Sequence, residues 1–143
     1  SRSSAASDVY KRQLILNVGP TARGEFDYRA THALDSLGYW MHEHHPSIYH
    51  CTFPPDEYNL PASMDDRLTY NPDTKKLYLH LFHYPDNGEL VLPNYNGKIS
   101  YAQLLNDDSE VPFKAGDNTT DLVLKLPKAK PPYEIPVIEL SLK

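Results

Sequence analysis

Leu77-Tyr-Leu-His-Leu-Phe82 decides the fold class: Leu77, Leu79 and Leu81 fall on one face, and Tyr78, His80 and Phe82 on the other. A two-residue period held over six positions is that of a β-strand. Pro85-Asp-Asn-Gly88 follows as a hairpin signal, and Leu90-Val-Leu92 as the next strand. On the N-terminal side, Arg67-Leu-Thr-Tyr70 runs into Asn71-Pro-Asp-Thr74, a turn sequence. On the C-terminal side, Asn96-Gly97 leads to Ile99–Leu105, and Asn106-Asp-Asp-Ser109 turns again. Val111-Pro-Phe113 and Asp121–Leu126 then read as strands. Finally Ile138, Leu140 and Leu142 alternate with Glu139, Ser141 and Lys143, the pattern of a half-buried strand. About seven short strands with turns between them predict an antiparallel β-sandwich.

Upstream the pattern changes. Leu14-Ile-Leu-Asn-Val18 is a short apolar run without alternation, followed by Gly19-Pro20. Such a run suits a strand covered on both faces, as in a parallel sheet. Beyond the turn-rich Gly19–Gly24, the apolar positions Ala30, Ala33, Leu34, Leu37, Trp40 and Met41 recur at spacings of three and four, one face of a helix. Asp27 is its expected N-cap. His44-His45-Pro46 ends it, because a residue before proline is pushed out of the helical region. Residues 14–51 therefore read as one β/α unit, which cannot bury such a strand without sheet neighbours. The helix face of Leu34, Leu37, Trp40 and Met41 is expected to lack its partners. Prolines 54, 55 and 61 mark a linker into the strand-rich part, residues 52–143.

Composition narrows the function classes. The chain has 143 residues, too few for a complete eight-fold β/α barrel of roughly 250. Its 13 prolines exclude an all-helical bundle. Fourteen basic residues stand against 19 acidic ones, a net charge of −5. That balance argues against a nucleic-acid partner, whose phosphates require clustered Lys and Arg. No apolar run approaches a membrane-spanning length and no signal-peptide core is visible, so no membrane partner is expected. One cysteine, Cys51, forbids an internal disulfide and fits a reducing compartment. Residues 1–13, beginning Ser-Arg-Ser-Ser-Ala-Ala-Ser without Met, are small, polar and patternless, and read as an adaptor-like scar outside the fold.

Four groups invite a chemical reading. His42, His44, His45 and His50 cluster near the helix end, where two imidazoles four residues apart can share a metal ion. Adjacent His44 and His45 point apart and no HExxH pattern occurs, so contacts with the last helical carbonyls weigh more; no metal or other cofactor is expected. Asp65-Asp66 and Asp107-Asp108 suggest a glycosidase pair, but each adjoins a turn or strand entrance, where Asp serves the local backbone. Tyr70, Tyr78, Phe82, Tyr84, Tyr95 and Tyr101 are candidates for a sugar-stacking platform, or for ordinary cross-strand packing. Cys51 has no identifiable His or Asn partner and reads as a buried structural thiol.

Leu14-Ile-Leu-Asn-Val-Gly-Pro-Thr-Ala-Arg-Gly-Glu25 resembles the last barrel strand and following loop of glycoside hydrolase family 29 α-L-fucosidases. Leu37-Gly-Tyr-Trp-Met41 and Ser47-Ile-Tyr-His-Cys-Thr52 are similar to the segment that closes that barrel. Arg67-Leu-Thr-Tyr-Asn-Pro72, Leu77-Tyr-Leu-His-Leu81 and Tyr101-Ala-Gln-Leu-Leu-Asn-Asp107 resemble the C-terminal sandwich of bacterial members. The resemblance spans residues 14–143 and implies a sandwich preceded by one β/α unit left over from a (β/α)8-type barrel. It implies a parent that removes terminal α-L-fucose from fucosylated glycans with retention, using an Asp nucleophile and commonly a Glu acid/base about 5–5.5 Å apart. Those carboxylates belong to earlier barrel segments; no residue here matches them, and no catalytic residue is assigned. The family usually has Gly-Asn before the apolar strand where this chain has Arg12-Gln13, which places a junction there.

The expected reading is thus a C-terminal fragment, itself inactive, packed in its parent against the missing barrel. With no signal peptide visible, the bacterial cytoplasm is the expected compartment. Asn17, Thr21 and Arg23, in and after the barrel strand, are candidates for the border of the substrate pocket; a structural turn with Gly19 and Gly24 supplying backbone freedom is the weightier reading. The alternative is an autonomous carbohydrate-binding or structural sandwich module without catalysis.

Overall fold

The computed structural model of the protein describes residues 19–61, 67–133 and 135–143. The expected strand at 14–18, with Asn17, and the pair Asp65-Asp66 lie outside the described residues.

Helix α1 spans Tyr28–His44. Asp27 caps it as expected: the cap residue is extended and its Oδ1 accepts a hydrogen bond from the Ala30 amide at 2.7 Å. Pro46 then falls in the first turn of a 3₁₀ segment, His45–Ser47, where its missing N–H costs nothing. A second 3₁₀ turn, Asp56–Tyr58, follows.

Among the described residues seven strands follow: β1 (Arg67–Asn71), β2 (Lys76–His80), β3 (Glu89–Leu92), β4 (Ile99–Leu104), β5 (Phe113–Ala115), β6 (Leu122–Lys125) and β7 (Val137–Leu142). One sheet has the order β1-β2-β7-β4 and the other β3-β6-β5, with every neighbouring pair antiparallel. The core lies between them. Leu77, Leu79, Ile138, Leu140, Ala102 and Leu104 from the first sheet meet Leu90, Leu92, Leu122 and Leu124 from the second, with Tyr95 closing one end. The Tyr95 hydroxyl donates to the Tyr58 carbonyl, which satisfies the polar atom of a fully buried ring.

The expected antiparallel sandwich is the observed one, with three local differences. Pro85–Gly88 forms a tight turn, the Gly88 amide bonding the Pro85 carbonyl at 3.2 Å, but it makes no hairpin. β2 and β3 belong to different sheets, so the turn carries the chain across the sandwich. Where the chain crosses from β4 to β5, Val111 bonds the first sheet through its amide to Ala102 O, whereas Pro112 offers its carbonyl to Lys125 in the second. The expected strand at Val111–Phe113 is therefore a corner, and β5 begins only at Phe113. Proline suits that corner because it has no amide for either sheet.

The third difference concerns β7. Its alternation predicts a half-buried strand, yet Glu139 is 6% exposed, as β7 lies between β2 and β4. Glu139 Oε1 accepts from Lys76 Nζ and from Gln103 Nε2, each at 3.1 Å. A paired and hydrogen-bonded carboxylate can be buried where an isolated one could not.

Candidate functional site

Polar and aromatic groups converge where the C-terminal turn of α1 meets the outer face of the larger sheet. Trp40 anchors the joint, its indole N–H donating to Ile135 O at 2.8 Å. One turn on, His44 stacks on Trp40 with ring centroids 4.8 Å apart, and Tyr133 meets His44 edge-to-face at 4.6 Å. His44 is 0% exposed; its Nδ1 lies 2.8 Å from the Trp40 carbonyl, so that nitrogen carries the hydrogen. Among the described residues, His44 Nε2 is buried with no hydrogen-bond partner.

The sheet contributes the second half. Thr69 on β1 donates to the Ser47 carbonyl, and His80 on β2 places Nε2 3.0 Å from Ser47 Oγ and Nδ1 3.1 Å from Arg67 O. Ser47 Oγ also lies 2.7 Å from the His44 carbonyl. Cys51, Tyr78 and Val137 form a small apolar cluster against which Trp40 and Leu105 pack. Burial pulls His44 below the ordinary imidazole range, and pulls His80 down to about 4. Burial, with Glu139 nearby, pushes the Tyr78 hydroxyl upward. Both imidazoles are thus neutral at neutral pH.

The histidines found by sequence are dispersed by the structure. His44 and His45 each direct Nδ1 at the carbonyl four residues back, the contacts expected at a helix end. His42 is exposed beside Glu43, and His50 is exposed in a left-handed conformation. Among the described residues, no three of His, Cys, Asp and Glu converge as a metal site. Asp107 accepts from the Ser109 amide at 3.0 Å and Asp108 from Gln103, the roles of turn residues; the bonds to Ser109 pull the Asp107 carboxyl below its usual range.

No aromatic platform assembles. Tyr78 and Tyr95 are buried, Tyr70 and Tyr84 are half-buried against the core, and Phe82 and Tyr101 are exposed. Cys51 is buried, as read from the sequence. Thr21 and Arg23 are exposed in a tight loop: the Gly24 amide bonds Thr21 O at 2.9 Å, and Gly24 adopts φ +80°. The sequence reading missed His80 and Ser47; the one available signal was a histidine on the non-leucine face of the strand.

No family model matches the chain, and no curated protein matches it by sequence. Solved structures do. α-L-Fucosidase isoenzyme 1 from Paenibacillus thiaminolyticus shares 30% identity and a TM-score of 0.79, with 97% of this chain covering 32% of that one. A family GH29 α-L-fucosidase from Bacteroides thetaiotaomicron, trapped as a covalent intermediate, gives 0.72 at 19% identity over 97% of this chain and 30% of that chain. The Thermotoga maritima α-fucosidase gives 0.70 at 19% identity, over 93% of this chain and 32% of that chain. The chain spans about a third of the length of these enzymes. The two antiparallel sheets and one helix of the described residues are accordingly the fold of the C-terminal part of glycoside hydrolase family 29 α-L-fucosidases.

Proposed function

We propose that this chain is the C-terminal part of a retaining α-L-fucosidase, supporting a catalytic barrel rather than performing the hydrolysis. The observation that carries the reading is the 30% identity with a fucosidase of which the chain spans only about a third. The covalent intermediate trapped in the Bacteroides enzyme supports a retaining reaction for the parent, since retention proceeds through such an adduct. In this reading residues 14–51 are the last strand and helix of the barrel, residues 52–143 the sandwich, and residues 1–13 foreign to both. Asn17, Thr21 and Arg23 then border the pocket at the barrel face that carries the active site. The exposed Leu37, Tyr39 and Tyr28 of α1 supply a surface for barrel packing. Fucosylated glycans are partners of the parent, reached through its barrel.

Purified to homogeneity and offered an aryl α-L-fucoside, the 143-residue chain is expected to show no turnover. The same chain appended to a family 29 barrel in place of that enzyme's own C-terminal third is expected to give a soluble, active hydrolase. Turnover that co-purifies with the chain alone overturns the division of labour, and a chimera that neither folds nor hydrolyses overturns the family role.

A further inference from the structure

We infer that the joint between α1 and the sandwich is a proton-operated latch: it holds the helix end while His44 and His80 are neutral, and opens when this pair takes up protons. The inference stands on the geometry of the joint and is independent of the fucosidase reading.

The hydrogen-bond inventory sets the rule. Neutral His80 must donate from Nδ1 to Arg67 O, leaving Nε2 as an acceptor. The single Ser47 hydroxyl proton then serves either His80 Nε2 at 3.0 Å or the His44 carbonyl at 2.7 Å. A proton added to His80 Nε2 would donate to Ser47 Oγ and release the hydroxyl proton to His44 O. His80 therefore has a hydrogen-bonded seat for a second proton, opposed by burial at 5% exposure. His44 has none. Its Nε2 is enclosed with no acceptor among the described residues, so protonation there leaves a buried, unpaired N–H and a positive charge between Trp40 and Tyr133. The two imidazoles also oppose each other's charging.

Burial outweighs the groups that favour charging at both rings. On α1, Glu43 favours charging of His44, while His42 and His45 are exposed. From β1, Arg67 presents its carbonyl to His80, with its side chain exposed. Tyr78 on β2 and Cys51 on the adjoining loop lie in the apolar cluster under Trp40. Tyr133, bonded to Tyr39, has its hydroxyl pushed up to about 12 and stays neutral. Glu139 on β7 is held by Lys76 and Gln103. Opening exposes both imidazoles to water, which removes the cost of charging them.

Trp40, the chain's one tryptophan, reports the latch directly. In the full chain, titrated from neutral pH down to about 4, Trp40 emission should shift red and acrylamide quenching rise severalfold, while the far-UV strand signal persists. By NMR, His44 and His80 should titrate below the ordinary imidazole range and together with the Trp40 change. His80→Gln and His44→Gln should weaken or abolish the transition, with exposed His42→Gln leaving it intact. Ordinary titration of both histidines, a Trp40 signal flat across the range, or loss of Trp40 burial only with the strands overturns the latch. If either variant fails to fold, the wild-type titration still decides.

Discussion

At Gly88 the backbone takes φ +72°, and a Cβ built there would lie 2.9 Å from the Leu126 carbonyl, which no ordinary packing tolerates. The same residue accepts from the Leu126 amide at 2.6 Å, so the main chain cannot retreat without losing that bond. Gly88→Ala should therefore destabilise the protein by about 1–3 kcal/mol, read from the urea midpoint. His80 makes a residue-scale contribution of the opposite pH sense to that of a salt-bridged histidine. Its folded value lies below the unfolded 6.5, so the unfolded chain binds more protons as pH falls. Stability is complete above about 6.5, declines as pH falls toward about 4, and is level below. His80 alone accounts for up to about 3 kcal/mol of that decline. Denaturation curves across this window should show a smaller decline for His80→Gln; an equal decline places the acid sensitivity elsewhere.

Helix α1 is two elements in one. Its early turns expose Tyr28, Leu37 and Tyr39, whereas Trp40 and His44 are fixed to the sheet. The expectation that Leu34, Leu37, Trp40 and Met41 lack partners fails for Trp40, which packs on the sheet, whereas Leu37 is 44% exposed. Periodicity located the face but could not say which residues of it meet the sandwich, because Ile135 and Val137 approach from about a hundred residues away. Native-state hydrogen exchange should find amides at 28–36 exchanging well before those at 41–47; uniform protection along α1 would contradict this division. Leu124→Ala, in the fully buried middle of β6, should cost about 3 kcal/mol, and Leu37→Ala under about 1. The Pro85–Gly88 misreading belongs to the same scale. Turn residues dictate a local reversal, but which sheet receives the next strand depends on partners such as Val123 and Leu124, far along the chain.

For the whole molecule, alternating leucines and turn residues made the sandwich and its strand number legible, because each signal is local. The joint was not legible. Its histidines sit 36 residues apart in number, on a helix end and a strand, and Ser47 becomes their bridge only once those elements dock. Domain independence is testable at this scale. Thr52 and Tyr70 exchange two backbone bonds, of 2.7 and 2.9 Å, so residues 51–143 keep the flank of β1 covered. That piece should unfold cooperatively, with a lower midpoint for want of Trp40 and His44. A piece lacking a cooperative transition would show that α1 belongs to the sandwich's folding unit.

β7 lies between β2 and β4, and it reaches β2 across 63 residues of sequence, Lys76 to Glu139. As the polypeptide leaves the ribosome, the β1–β2 ribbon and β4 emerge before the strand that lies between them, and the three-stranded sheet faces an incomplete partner. Val137–Leu142 supplies that connection in one step, burying Ile138 and Leu140 at once. Assembly should therefore wait for this segment, and nascent chains stalled before it should remain sensitive to protease along both sheets.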